Sequence, residues 1–283
     1  MMRAERLAPA GAELVEGPVW RRESAEVVWV DILRGEIRAT DLAGESRLVR
    51  RHAMPVGAVV LAEDGSIIAS TPIGLIDSGG RVCSVLQQTA TDVRANDGKA
   101  DPAGRFVGGT MTIAEPRPGA GALWSMAGDR AKQLVSGATI ANGLAWSADG
   151  STLFWIDTPT GQIDAFDYDL DSGSVADRRT HVTIDPSWGS PDGMCIDADD
   201  RLWVAFWGGS AVRCFEEGKC VAVVDLPTPL VTCPTFAGPD LDCLVITTAS
   251  IDLEPGSPGA GDLYVVDAQC RGREPDRLGE WAA

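Results

Sequence analysis

Histidine is scarce in this chain, and the shortage limits the chemistry that the chain can carry. The 283 residues include only two histidines, His52 and His181. A mechanism that needs several histidines is therefore excluded. The seven cysteines are odd in number and scattered, and none is spaced as C-x-x-C or lies near a histidine. We expect them to be reduced strand and core residues, so any bound metal ion must be held by oxygen ligands.

Basic charge and long hydrophobic runs are also in short supply. The 24 lysines and arginines stand against 41 acidic residues, which gives a net charge of −17 at pH 7. Such a surface repels phosphate backbones and anionic lipids, so neither nucleic acid nor a membrane is an expected partner. No apolar run approaches the ~20 residues of a membrane span, and residues 1–11 lack a signal-peptide core. We expect a cytoplasmic protein, and no obligate protein partner is evident.

The remaining composition predicts one compact domain. Hydrophobic residues make up 45% of the chain, and no polar low-complexity run interrupts it, so a sizeable core can form. The chain is longer than most single domains, but repeat and all-β folds often reach this size as one unit. We therefore treat residues 1–283 as a single domain.

A degenerate repeat of about 45 residues runs through the chain. Apolar strands begin at a glycine in four units, with weaker counterparts in two more, and the steps between them are 39 to 50 residues. A second apolar strand follows at hairpin spacing in five of the six units; residues 122–126 are its expected counterpart in the third. The predicted unit starts are Gly17, Gly57, Gly104, Gly143, Gly193 and Cys233.

The strands within each unit predict the architecture. Alternating third strands are expected at residues 35–42, 161–169 and 261–267, and shorter fourth strands follow in several units. Several short strands per unit, the repeat length and the lack of a long amphipathic helix predict an all-β fold. We expect a six-bladed β-propeller of four-stranded antiparallel blades around a central channel. Residues near Glu5–Ala8 are expected to supply a closing outer strand.

Three oxygen-bearing side chains, Glu16, Asn142 and Asp192, each precede the glycine that opens a first strand. Turn chemistry is the simplest alternative, because Asn-Gly and Asp-Gly are common turn dipeptides. However, the hairpin turns lie six or seven residues later in each unit. The corresponding residues of the other units are Val56, Ala103 and Thr232. The fold therefore does not require polarity at this position, and in a propeller the first strands surround the channel.

Two carboxylates and an amide form a hard oxygen donor set. It suits one divalent ion such as Ca²⁺, Mg²⁺ or Mn²⁺, and Zn²⁺ or Fe²⁺ could also bind. A structural ion that clamps the blades would use similar ligands. A site with three protein ligands, however, leaves positions for water and substrate, as catalytic sites require.

A second polar group lies in the third unit, in the segment 94–106. An ordinary loop with a surface arginine is the alternative explanation. Because the segment leads into a channel strand, we expect Arg94 and Asn96 to lie near the same rim and to donate hydrogen bonds to a polar ligand. Asp97 and Asp101 are expected to shape the loop.

At these residues the chain resembles the gluconolactonase/regucalcin family, also called the senescence marker protein family, of six-bladed β-propellers. The matching segments are EGPVW at 16–20, RANDGKADPAGR at 94–105, GTM at 109–111, ANGLAW at 141–146 and SPDGM at 190–194. The resemblance implies that Glu16, Asn142 and Asp192 bind the divalent metal ion. It also implies that Asp192 is the catalytic acid and base, and that Arg94 and Asn96 hold the substrate.

The family pattern also bears on the segment after Met111. Several members place a substrate-contacting glutamate three residues past this methionine, where the present chain has Ala114 followed by Glu115. Either the loop shifts so that Glu115 takes over this contact, or the contact is missing.

The resemblance implies metal-dependent hydrolysis of a small-molecule sugar lactone, an aldonolactone such as gluconolactone, to the aldonic acid. Two alternatives remain open. One is a non-catalytic calcium-binding or interaction propeller, since this fold serves many scaffolds. The other is an esterase or organophosphate hydrolase on a related propeller; such enzymes usually also use channel histidines, which this sequence does not supply.

Overall fold

A computed structural model, which describes residues 2–86 and 92–279, is a six-bladed β-propeller. Six antiparallel sheets of four strands form the blades, and a short extra strand extends blade five. Within the described residues there is no α-helix, and thus no helix that could span a membrane. The only helical segments there are two short 3₁₀ turns, Thr158–Thr160 and Pro186–Trp188. The fold predicted from the repeat is confirmed.

Each blade runs outward from the channel as a meander of four strands. The innermost strands are Val15–Arg21, Ala58–Leu61, Val93–Ala100, Ala141–Trp146, Ser190–Ile196 and Val231–Ala237. The second strands are Glu26–Asp31, Ile67–Thr71, Phe106–Thr112, Thr152–Asp157, Leu202–Trp207 and Cys243–Thr248. The third strands are Glu36–Asp41, Gly74–Ile76, Gly121–Ala127, Gln162–Asp169, Ala211–Glu216 and Leu263–Asp267. The outer strands are Ser46–Arg51, Val82–Val85, Arg130–Ala138, Ser174–Thr183, Lys219–Asp225 and Glu5–Ala8.

Blade six is built from both ends of the described chain. Its outer strand, Glu5–Ala8, pairs antiparallel with Leu263–Asp267, as the sequence predicted. The preceding pair of residues, Met2–Arg3, runs parallel to the outer strand of blade five. The first strands of the chain therefore close the ring across blades five and six.

We expect deletion of residues 2–8 to lower the melting temperature by about 10 °C or more. The deletion removes the fourth strand of blade six and exposes apolar surface that now lies against Ala4 and Ala8, which are buried. Thermal unfolding followed by circular dichroism measures the effect. Deletion of Met2 and Arg3 alone is the matched control and should cost much less, because it leaves the blade-six strand intact. Equal losses from both deletions would contradict this closure.

Apolar strand faces pack between adjacent blades. Trp20, Trp29, Trp155 and Trp203 are among the buried side chains, each at most 2% exposed. The indole nitrogen of Trp29 donates to Thr40 Oγ1 at 2.8 Å, and that of Trp203 donates to Asp197 Oδ2 at 3.0 Å. These side chains fill the spaces between sheets, so the wall of the channel rests on a packed core.

The repeat register predicted for blade three is wrong. Gly104 does not open the innermost strand; it lies in the hairpin turn after Val93–Ala100, where its amide donates to the Asp101 carbonyl oxygen at 2.9 Å. The expected second strand at residues 122–126 belongs to the third strand, Gly121–Ala127. The misassignment arose because this hairpin turn contains a glycine followed by an apolar strand, the same local pattern that marks a true unit start.

The last described segment crosses the hairpin end of the channel. Gly272 forms a bridge with Asp197 of blade five, and Leu278 forms one with Ala62 of blade two. The amide of Gly279 then donates to the carbonyl oxygen of Gly104 in blade three. This strap, residues 272–279, therefore connects three blades at the end of the channel where the first and second strands turn.

Candidate active site

Bulges interrupt the innermost strands next to the three predicted oxygen donors. Pairing with the second strand shifts after Glu16 in blade one, after Ala141 in blade four and after Pro191 in blade five. Asn142 and Asp192 are thereby left out of the ladder. A bulge re-aims side chains that would otherwise follow strict alternation, and bulges are frequent beside active sites.

Gly143 and Gly193, which follow two of the donors, are required by close packing of neighbouring blades. A Cβ on Gly143 would lie 2.7 Å from the Asp192 carbonyl oxygen, and one on Gly193 would lie 2.5 Å from Cys233 Sγ. Both glycines lie within innermost strands, so the turn explanation of these dipeptides is wrong. Asn142 and Asp192 therefore precede glycines because the first strands crowd together, whereas Gly17, after Glu16, has a positive φ of 53°.

The donors and the predicted substrate residues meet in the channel wall. Glu16, Asn142, Asp192, Arg94 and Asn96 are all buried, between 5% and 7% exposed. Asn96 Nδ2 donates to Asn142 Oδ1 at 3.1 Å, and Arg94 donates to Asn96 Oδ1 at 2.7 Å. One hydrogen-bonded row thus joins the arginine of blade three to a metal-donor candidate of blade four.

The side chain of Asn142 is also linked by hydrogen bonds to the backbone of blade five. Its Nδ2 donates to Thr158 Oγ1 at 3.0 Å, and that hydroxyl donates to the carbonyl oxygen of Pro191 at 2.9 Å. Pro191 directly precedes Asp192. This chain of hydrogen bonds ties the amide of Asn142 to the backbone that carries the Asp192 carboxylate.

Asp97 is a channel residue that the sequence analysis assigned to loop shaping. It is 4% exposed within the innermost strand of blade three. Its Oδ1 accepts from the Gly98 amide at 2.7 Å, whereas its Oδ2 is buried without a hydrogen-bond partner. Asp101, by contrast, does shape the turn: it accepts from the amides of Ala103 and Arg105.

Negative charge is concentrated in the channel. Burial, followed by the charges of Asp192 and Asp97, raises the pKa of Glu16 well above its usual value. Burial and the charge of Asp97 likewise raise the pKa of Asp192, against opposing effects of Asn142 and Arg94. Burial lowers the pKa of Arg94 to about 10, so the guanidinium remains charged at neutral pH.

The donor chemistry fits one divalent cation. Within residues 2–86 and 92–279, no three His, Cys, Asp or Glu side chains are grouped so that they could hold a metal ion. A cation here would therefore need the amide oxygen of Asn142 together with the carboxylates of Glu16 and Asp192. Burial, together with the charge of Asp97, raises the pKa values of both carboxylates, and a bound cation would favour their ionised forms.

A cavity of about 140 Å³ lies in the channel on the strap side of the donors. It is lined by Asp97, Lys99 and Cys195 from the innermost strands and by Asp276 from the strap. Lys99 Nζ donates to the carbonyl oxygen of Met194. Glu16, Asn142 and Asp192 are not among the residues that line this cavity.

The loop after Met111 does not restore the glutamate contact of the family pattern. Ala114 and Glu115 are both exposed. The carbonyl oxygen of Glu115 accepts from Thr112 Oγ1 at 2.7 Å, which closes a tight turn. In this conformation the Glu115 carboxylate is a surface group and not part of the buried row.

The fold and this donor set define a class of protein: a six-bladed propeller with two carboxylates, an amide and an arginine buried together in the wall of its channel. A family model described as "SMP-30/Gluconolactonase/LRE-like region" matches residues 14–250. The chain therefore belongs to this family, as the sequence motifs indicated.

Three known proteins illustrate the likeness. The chain is 33% identical to regucalcin from Oryctolagus cuniculus over an alignment of 285 residues. The alignment covers 94% of this chain and 94% of that protein. It is similar to the crystal structure of regucalcin from Agrobacterium tumefaciens, described as a calcium-binding protein, with a TM-score of 0.90 and 26% identity over 100% of this chain and 98% of that one. A luciferin-regenerating enzyme has a TM-score of 0.88 and 26% identity, covering 98% of this chain and 100% of that one.

Proposed function

We propose that this protein hydrolyses a sugar lactone, an aldonolactone such as gluconolactone, to the aldonic acid with the help of one divalent cation. The observation that carries the proposal is the hydrogen-bonded row from Arg94 through Asn96 to Asn142. A cation that only clamped the blades would need no buried arginine beside its ligands. Membership of the gluconolactonase-like family supports the substrate class.

Asp192 is suited to move the proton in this reaction. When bound, the cation would polarise the lactone carbonyl and offset negative charge on its oxygen. The Asp192 carboxylate takes a proton from the water that attacks the carbonyl carbon, and a tetrahedral intermediate forms. As the bond from this carbon to the ring oxygen breaks, Asp192 returns the proton to the departing oxygen. The products are the free acid and the ring hydroxyl.

Asp192 must be ionised to act as a base. Its burial and the charge of Asp97 oppose ionisation, whereas Asn142 and Arg94 favour it. The positive charge of a bound cation would lower the pKa of Asp192 further. The same carboxylate can therefore start ionised and serve as acid in the second step.

Arg94 is suited to hold the substrate. One nitrogen of its guanidinium contacts Asn96, while its Nε is buried without a partner. Such an unsatisfied donor in the channel wall is costly unless a ligand accepts from it. A sugar hydroxyl or the lactone ring oxygen is an acceptor of the right kind.

Replacing Arg94 by glutamine is expected to lower kcat/KM by about 10- to 100-fold, mainly through KM, because a hydrogen bond from a charged donor is lost. Steady-state kinetics on gluconolactone measure the effect. Arg94→Lys is the matched variant: it keeps the charge near Asp192 but loses the planar donor group, so it separates the two contributions. An unchanged KM in both variants would remove Arg94 from the substrate site.

A panel of aldonolactones, followed by acid release, tests the function as a whole. It should be run on metal-stripped protein resupplied with Ca²⁺, Mn²⁺, Mg²⁺, Zn²⁺ or Fe²⁺, and with a chelator. Chelator-sensitive hydrolysis supports the proposal. If no lactone is hydrolysed under any condition, the calcium-binding scaffold becomes the better explanation.

The esterase alternative is tested in the same experiment by adding aryl esters to the panel. Both histidines lie away from the channel donors: His52 lines a groove between blades one and two, and His181 packs on Phe154 with ring centroids 4.7 Å apart. We therefore expect lactone turnover to exceed aryl-ester turnover. The reverse order would favour the esterase.

A further inference from the structure

A groove between blades one and two lies outside the central channel and has a volume of about 370 Å³. Its apolar surface comes from strands of both blades, and its nitrogen donors come from Arg21, Arg50 and His52. The apolar lining residues are Ile37, Val49, Ile67, Ala69 and Ile76. The groove thus combines an apolar wall with a cluster of cationic and imidazole groups.

Within the described residues, neither arginine of the groove forms an ion pair with a carboxylate. Arg47 and Arg51, on the same strand as Arg50, pair with Glu26 and Glu36. Arg50 instead donates to the carbonyl oxygen of Ser78, which leaves its charge uncompensated. The charge on this part of the strand therefore faces the groove without an internal counter-ion.

Arg21 is still less satisfied. In the described part of the chain its guanidinium forms no hydrogen bond or ion pair, and its Nε is buried without a partner. Glu23 and Glu26 lie near enough to feel its charge. However, Glu23 pairs with Arg277 at 2.5 Å and Glu26 pairs with Arg47 at 2.6 Å.

The acidic residues that line the groove accept hydrogen bonds within their own turns. Asp64 Oδ1 accepts from the Ser66 amide at 2.8 Å. Asp77 accepts from the amides of Gly79 and Arg81 and from the Arg81 side chain at 3.1 Å. Neither aspartate pairs with Arg21 or Arg50. The guanidinium groups of Arg21 and Arg50 are consequently available to bind an external anion.

The imidazole of His52 is the third nitrogen-bearing side chain that lines the groove. Its Nε2 is buried without a hydrogen-bond partner. Burial and the nearby charge of Arg50 lower the pKa of this imidazole, so it is neutral at physiological pH. An anion in the groove would oppose the effect of Arg50 and would give the ring a partner.

We propose that this groove binds a small organic oxyanion, a carboxylate or phosphate monoester with an apolar body, between Arg21, Arg50 and His52. Guanidinium groups match the geometry of carboxylate and phosphate oxygens. The apolar wall accommodates the body of the ligand, and the volume falls within the range of small-molecule sites. The groove is distinct from the channel, so this site is independent of the proposed lactone hydrolysis.

Isothermal titration calorimetry with phenyl phosphate, benzoate and inorganic phosphate tests the proposal. The test variant is Arg21→Gln with Arg50→Gln. The matched control is Arg117→Gln with Arg179→Gln, which removes the same charge from exposed arginines that pair with Asp92 and Asp167, outside the groove. We expect an organic probe to bind the wild type with millimolar or better affinity, and to bind the test variant at least about tenfold more weakly. The control should bind like the wild type.

Three further readouts complete the test. Inorganic phosphate should bind more weakly than phenyl phosphate because it lacks an apolar body. Whichever of phenyl phosphate and benzoate binds with the higher affinity identifies the preferred head group. Both double variants should keep the wild-type melting temperature, which separates loss of binding from loss of fold. Binding is measured by heat, so the result stands whether or not the protein hydrolyses lactones. The proposal is overturned if neither organic probe binds the wild type, or if the test variant binds as tightly as the wild type.

Discussion

Asp192→Asn is expected to reduce lactone turnover by about 1,000-fold while the protein remains folded, because general acid–base groups commonly contribute 10²- to 10⁴-fold to a rate. The asparagine keeps the shape of the side chain and one oxygen donor, but it cannot accept and return a proton. Initial rates at saturating lactone and cation measure the effect. Saturation with the cation is needed because loss of one negative ligand also weakens metal binding.

The matched control for this variant is Asp199→Asn. Asp199 lies in the same blade, is exposed, and is ion-paired with Arg201 at 2.9 Å. The control removes one carboxylate from an already acidic protein without touching the channel, so its turnover should equal that of the wild type. If Asp192→Asn also kept wild-type turnover, Asp192 would not be the base. Asp97, a buried channel carboxylate with one oxygen that has no hydrogen-bond partner, would then be the next residue to test.

Metal removal is expected to abolish turnover and to lower the melting temperature, and the loss of stability should grow as the pH rises. In the metal-free fold the pKa values of Glu16 and Asp192 are raised. A carboxylate with a raised folded pKa favours folding below its unfolded pKa of about 4, and this contribution is lost as the pH rises through the folded pKa. A bound cation offsets the resulting buried charge.

The measurement is a pair of melting curves, with and without Ca²⁺, between about pH 5 and about pH 8. The difference in melting temperature should increase with pH, because more negative charge must be buried at the higher pH. Asn142→Ala removes the neutral donor and should reduce the stabilisation by Ca²⁺ while leaving both carboxylates in place. A pH-independent difference, or an Asn142→Ala variant stabilised as much as the wild type, would contradict the assigned ligand set.

Much of the fold was predictable because blade spacing is a local property repeated many times. Gly143 and Gly193 mark strands whose neighbours approach too closely for a side chain, whereas Gly17 adopts a positive φ of 53°. The pattern therefore reports a packing requirement, and residues just before these glycines fall at one level of the channel. This is why the spacing of the amino acids alone is enough to group Glu16, Asn142 and Asp192.

Blade three shows where such counting fails. Its true register follows the pairing shift between Ala95 and Gly98, which matches the shift between Ala141 and Leu144 in blade four. Asn96 is thus level with Asn142, a position that the sequence analysis gave to Ala103. Counting back from the hairpin turn that contains Gly104 would have found this register. A glycine alone cannot distinguish a turn from a crowded strand.

The sequence by itself determined the six-bladed architecture and the location of Glu16, Asn142 and Asp192 on innermost strands, because both depend on short-range spacing that recurs in every blade. Only the tertiary structure decided that Asp97 belongs to the channel and that its charge raises the pKa values of Glu16 and Asp192. It alone brought Arg21 and Arg50 to one groove. Burial and charge coupling depend on which strands of different blades meet, and no local pattern in the chain specifies those distances.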